Sequence, residues 1–77
     1  MTKNIYKIEL YIYIDKEVIL SQLEGENLEE LKSKIIPTVK KECKLKGYTD
    51  DTVSVEYVIE KDEEYFDSDE CFISLAD

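Results

Sequence analysis

The chain contains no histidine and no tryptophan, and all ten of its basic residues are lysine. Without histidine, serine-histidine or cysteine-histidine catalysis cannot be assembled within the chain, and two cysteines alone do not complete the usual zinc ligand sets. Lacking arginine, it has none of the planar forks favoured for phosphate and guanine recognition. Its two glycines, Gly25 and Gly47, are isolated, so no phosphate-cradling loop exists. Cys43 and Cys71 are too few for a secreted disulfide scaffold and read as reduced thiols. No apolar run approaches the roughly 20 residues that span a bilayer, and no secretory leader is visible, so the expected location is the cytoplasm.

Acid is what the chain has in excess. Its 77 residues carry a formal charge of -9, distributed unevenly. Residues 32–46 hold six lysines against Glu42, whereas residues 47–77 hold one lysine against eleven acids. Direct binding to nucleic acid or an anionic membrane would require a basic face, and this balance disfavours it. The six helix lysines scatter around a polar arc, which reads as a solvated face or as an internal partner for nearby acids.

The pattern of apolar residues predicts an α+β fold in a single small domain, 1–77, of order ββαββ, with an antiparallel sheet packed on one helix. Strict alternation marks strands at about 5–14 and 52–60. A run over 18–24 pairs back on the first strand; a two-residue loop would set Ile12 against Ile19, Ile8 against Leu23 and Lys7 against Glu24, and a three-residue loop would exchange the faces. Asn27 and Glu30 have the spacing of a capping box, so a helix is expected over 28–46, closed by Gly47. Its apolar stripe is Leu28, Leu31, Ile35, Val39 and Cys43. Pro37 inside it predicts a kink near 33–37 or two short pieces. A fourth strand is expected over 71–76, leaving 60–70 as an acidic loop. The sheet face away from the helix is expected to carry Tyr11, Tyr13, Val58 and an aliphatic from the second strand, either as cross-strand pairs that merely stabilise the sheet or as a partner or homodimer contact.

Seven of the eleven residues from Glu60 to Glu70 are carboxylates. Burying them unpaired would cost several kcal/mol apiece, roughly, so the segment belongs in water or against a basic partner. Calcium is a poor fit: Asp67-Ser68-Asp69 matches the opening of an EF-hand loop, but no central glycine follows. No cofactor or metal is implied, and the expected role is non-enzymatic. Stretched out, the segment spans about 36 Å and presents one charge per about 5 Å, close to the ~3.4 Å charge spacing of one nucleic-acid strand. On this reading Asp62, Glu63, Glu64, Asp67, Asp69 and Glu70 supply charge, and Tyr65 and Phe66 act as anchors on a basic protein surface. The remaining uses of the run are a solubilising loop or a partner for the helix lysines.

The Glu-Glu-Tyr-Phe-Asp-x-Asp-Glu run ahead of a final strand, in a short, acidic, arginine-free chain, resembles phage-encoded anti-CRISPR and other DNA-mimicking inhibitor proteins. The resemblance implies stoichiometric inhibition inside a bacterial cell, by occupying the site where a nucleic-acid-guided nuclease binds DNA. The other function class the residues allow is a small interaction or assembly module that binds through Tyr11 and Tyr13.

Overall fold

Alternating apolar residues draw β1 (Tyr6–Ile14) out as an extended strand and put Ile8, Leu10, Ile12 and Ile14 on one face, where all four are buried. The computed structural model describes residues 4–76. β2 (Glu17–Gly25) returns antiparallel after the two-residue loop Asp15-Lys16, setting Ile12 against Ile19, Ile8 against Leu23 and Lys7 against Glu24. Asp15 takes the positive φ of 55° that this tight turn needs, a conformation aspartate tolerates better than most side chains.

Asn27 then caps α1 (Leu28–Ser33) by accepting the Glu30 amide at 3.1 Å, while the Glu30 carboxylate is directed to Lys34 at 3.3 Å. The helix is not continuous. At Lys34 the chain leaves α1 and starts α2 (Ile35–Leu45): of the two outcomes expected around Pro37 it takes the two short pieces, so the order reads ββααββ where ββαββ was expected. The break has a simple cause. It places Pro37 in the first turn of α2, where a backbone N–H would have no helical acceptor and its loss costs little. Gly47, at φ 93°, closes α2: the Tyr48 amide donates to the Cys43 carbonyl and the Gly47 amide to Lys44, both at 3.0 Å.

β3 (Thr52–Lys61) and β4 (Glu64–Ser74) complete a sheet of order β2-β1-β3-β4, antiparallel throughout. Leu31, Ile35, Val39 and Cys43 cover one face of this sheet, and with Ile8, Leu10, Ile12, Ile19, Val53, Val55, Ile59 and Ile73 they form the core. The helices approach the sheet mainly over β2. The opposite face has no layer over it among the described residues.

The fourth strand corrects the sequence reading. Residues 60–70 are not a loop: β3 runs to Lys61, Asp62 and Glu63 make the turn, and β4 begins at Glu64, seven residues ahead of the expected strand over 71–76. Asp62 and Glu63 have φ of 49° and 71°, the two left-handed residues of a type I′ turn, positions that asparagine and glycine fill most comfortably. The Asp62 side chain and amide both hold Ile5, accepting its N–H at 3.0 Å and donating to its carbonyl at 2.9 Å, which ties the turn to the start of β1. Glu63 has no glycine-like freedom, and its left-handed backbone costs about 1 kcal/mol. The variant Glu63→Gly is accordingly expected to raise the unfolding free energy by about 1 kcal/mol, less the extra freedom of glycine in the unfolded chain, as read from urea midpoints.

Candidate protein-binding face

Period-two alternation turns the acidic run into two separate sets. Tyr65, Ser68, Glu70 and Phe72 lie opposite Glu60, Val58, Glu56 and Ser54, on the open face. Asp67 and Asp69 lie opposite Ile59 and Tyr57, on the helix side, where they extend beyond the helices and stay exposed. The phase changes at Phe66, because Ile59 pairs with Asp67 while Glu60 pairs with Tyr65, so Phe66 is an extra residue bulged from β4. Its ring rests edge-on against Tyr6, centroids 5.7 Å apart, and the Lys61 ammonium sits 5.7 Å from the centre of the same Tyr6 ring.

Of the eight residues assigned to one acidic surface, then, Tyr65 and Glu70 share the open face and Glu63 borders it beside Lys7, Glu9, Glu24 and Glu60. Glu64 falls opposite Lys61 on the helix side, Phe66 packs on Tyr6, and Asp62 is engaged with Ile5. Asp67 and Asp69 have local work: their carboxylates accept the next amide along the chain, Ser68 at 2.9 Å and Glu70 at 2.8 Å. Those two amides point away from β3, along the β4 edge of the sheet, whose other edge is β2.

Tyr11 and Tyr13, expected on the open face, are there, and they meet the glutamates of that face. The Tyr11 hydroxyl donates to Glu9 at 2.8 Å, and the Tyr13 hydroxyl to Glu56 at 3.4 Å. The hydrogen bond to Glu9 and that carboxylate's charge hold the Tyr11 phenol protonated to higher pH than usual; for Tyr13 desolvation comes first and Glu56 second. Both rings are therefore neutral donors at physiological pH. Lys7 lies between Glu9 at 3.5 Å and Glu60 at 3.9 Å. By register the open face carries Glu9, Glu24, Glu56, Glu60 and Glu70 against the single lysine Lys7.

Glu56 and Glu70 sit directly opposite one another across β3 and β4. Like charges in that position destabilise a sheet by a few tenths of a kcal/mol to about 1 kcal/mol. Three further apolar side chains lie on this face: Val18 and Leu20, where an aliphatic of the second strand was expected, and Phe72, which the sequence did not single out, the last two 67% and 79% exposed. Leu20 and Val18 follow from the two-residue loop register; Phe72 follows only once β4 is in place.

Two of the six helix lysines have carboxylates of their own outside the acidic run. Lys34 pairs with Glu30, and Lys46 reaches Glu17 at 3.3 Å, whose other oxygen accepts the Tyr48 hydroxyl at 3.0 Å. The hydrogen bonds from Tyr48 and Lys46 hold the Glu17 carboxyl below its ordinary 4.5. A depressed carboxyl contributes stability that is present above the unfolded value and lost as pH falls through the folded one. Tyr48→Phe keeps the ring and removes one of those bonds, so its deficit in urea midpoint against the parent is expected to be full at pH 6 and to shrink below pH 4.5.

Both thiols are pushed above their ordinary pKa by burial, with Glu42 adding to this at Cys43 and Asp69 at Cys71, so neither is an activated nucleophile. Among the described residues no cluster of three or more histidine, cysteine, aspartate or glutamate side chains is arranged to hold a metal, and no helix is long and apolar enough to cross a membrane. Comparison of the chain with protein-family models, with curated proteins and with solved structures finds no match.

Proposed function

We propose that this protein acts by binding and not by catalysis: its open sheet face docks on the basic, nucleic-acid-binding surface of another protein and excludes the nucleic acid. The observation that carries the reading is Glu56 opposite Glu70, with Glu9, Glu24 and Glu60 on the same face. Folding alone would favour a lysine in one of those places, so the carboxylates have a use outside the fold. Hydrogen bonds from Tyr11 and Tyr13 orient two of them, which lowers the entropy lost on docking. In its anti-CRISPR form the reading makes the partner a nucleic-acid-guided nuclease and places the protein in a bacterial cytoplasm.

The test is capture from a bacterial lysate on immobilised protein, followed by elution with duplex DNA at constant ionic strength. Nucleic-acid-binding proteins that leave the column with DNA, and that fail to bind a Glu24→Gln, Glu56→Gln, Glu60→Gln, Glu70→Gln variant, are the expected result. Capture that is indifferent both to DNA and to the four substitutions overturns the reading.

A further inference from the structure

The open face is not uniformly acidic, and its apolar part is gathered at one end. Val18, Tyr13, Ser54 and Phe72 form one row across the four strands, and Leu20 and Tyr11 begin the next. At a strand spacing of about 4.8 Å the first row is about 14 Å across. Val18 is 50% exposed, Leu20 67% and Phe72 79%. The glutamates lie in the remaining part: Glu56 and Glu70 share the row of Leu20 and Tyr11, and Glu9, Glu24 and Glu60 lie beyond.

From this arrangement we infer that the apolar end of the open face is the affinity-determining contact, and that its occupant is a protein surface in which an aliphatic or aromatic side chain is flanked by lysine or arginine. Charge selects that occupant. A second copy stacked face to face would set five glutamates and one lysine against the same set, a like-charge juxtaposition that costs several kcal/mol, roughly. Nucleic acid and anionic lipid carry the same sign as the face and are repelled by it. A basic surface with an apolar centre satisfies both halves: the glutamates form a charged rim that speeds encounter, and Leu20, Val18 and Phe72 supply the desolvated centre where most interface energy resides. The inference rests on the proposed basic partner and adds to it where on the face that partner is gripped.

The test uses two synthetic helical peptides of equal length and charge, one of lysine and leucine, the other of lysine and alanine. Affinity is measured by fluorescence anisotropy, and the contact is mapped by amide chemical shifts. The lysine-leucine peptide is expected to bind at least tenfold more tightly and to shift β1, β2 and the Phe72 end of β4. In a Leu20→Thr, Phe72→Thr variant, which keeps strand-compatible side chains, that preference is expected to vanish while the weaker charge-driven binding survives. Equal binding of the two peptides, a preference kept by that variant, or shifts confined to the helices overturns the inference. Sedimentation without peptide supplies the remaining arm: concentration-dependent dimerisation abolished by Leu20→Thr, Phe72→Thr would show that a second copy covers the face, and would overturn it too. Loss of the proposed function looks different, because then the four glutamate substitutions leave lysine-leucine binding intact.

Discussion

Replacing Ile12 by alanine is expected to leave the chain largely unfolded at 25 °C, with its sheet circular dichroism lost and its amide spectrum collapsed. Ile12 is fully buried, pairs with Ile19 on one side and Val55 on the other, and belongs to a core made from one face of the sheet and one side of two short helices. Truncating such a residue costs about 2 to 5 kcal/mol, the lost transfer energy plus the cavity left behind. A domain of this size has about 3 to 5 kcal/mol in hand, so the loss is comparable to the whole. Size is what turns an ordinary core substitution into a folding defect. The contrast is Leu45→Ala: Leu45 is 73% exposed, and its replacement is expected to change stability by no more than about 0.5 kcal/mol. A Leu45 variant as damaged as the Ile12 variant would show that the core lies elsewhere.

The four glutamate substitutions on the open face are expected to act in opposite directions on stability and on binding. Removing Glu56 and Glu70 relieves a like-charge cross-strand pair and lowers a net charge of -9, so the variant should melt at or above the parent temperature. Each glutamate that meets a partner cation at an exposed site is worth about 0.2 to 1 kcal/mol, so four together account for about 1 to 4 kcal/mol of binding. The dissociation constant for the captured partner should accordingly rise between about five-fold and about a thousand-fold. Raising salt should reproduce the effect on the parent and have little further effect on the variant. Asp67→Asn with Asp69→Asn serves as the comparison, because those side chains lie on the helix side; a loss as large from them would move the binding surface off the open face.

How much of this was legible in the chain depends on what each segment relied on. The β1–β2 pairing was legible but its register only in part: alternation is clean in β1, whereas Val18-Ile19-Leu20 are apolar in succession, so a two- and a three-residue loop both stood open and the structure takes the first. The helix ends were legible for the same kind of local reason, with Asn27 and Gly47 each doing chemistry within a few residues of itself. The break at Lys34 was half visible: Pro37 announced it, but where the helix would part depended on which turn could accept the proline. The start of β4 was hidden. Acidic residues have low strand propensity, the turn Asp62-Glu63 lacks a glycine, and the bulge at Phe66 shifts the apolar phase, so neither composition nor period marked a strand there. Pairing with β3 overrides all three, and that pairing is tertiary. Mistaking strand for loop had a direct effect on the candidate site, because a loop can present all its side chains together, whereas a strand must divide them between two faces.

The carboxylates of Asp67 and Asp69, each bonded to the next amide, carry a consequence for how the molecule behaves in a crowd of its own kind. A fibril lengthens when an unpaired strand offers outward amides to the next chain, one added every 4.7 to 4.8 Å or so. Along the middle of β4 those donors are already spoken for, and any strand arriving there would also have to lie against the acids beside them. Two outward amides at the middle of the β4 edge are thus withheld from a templating strand.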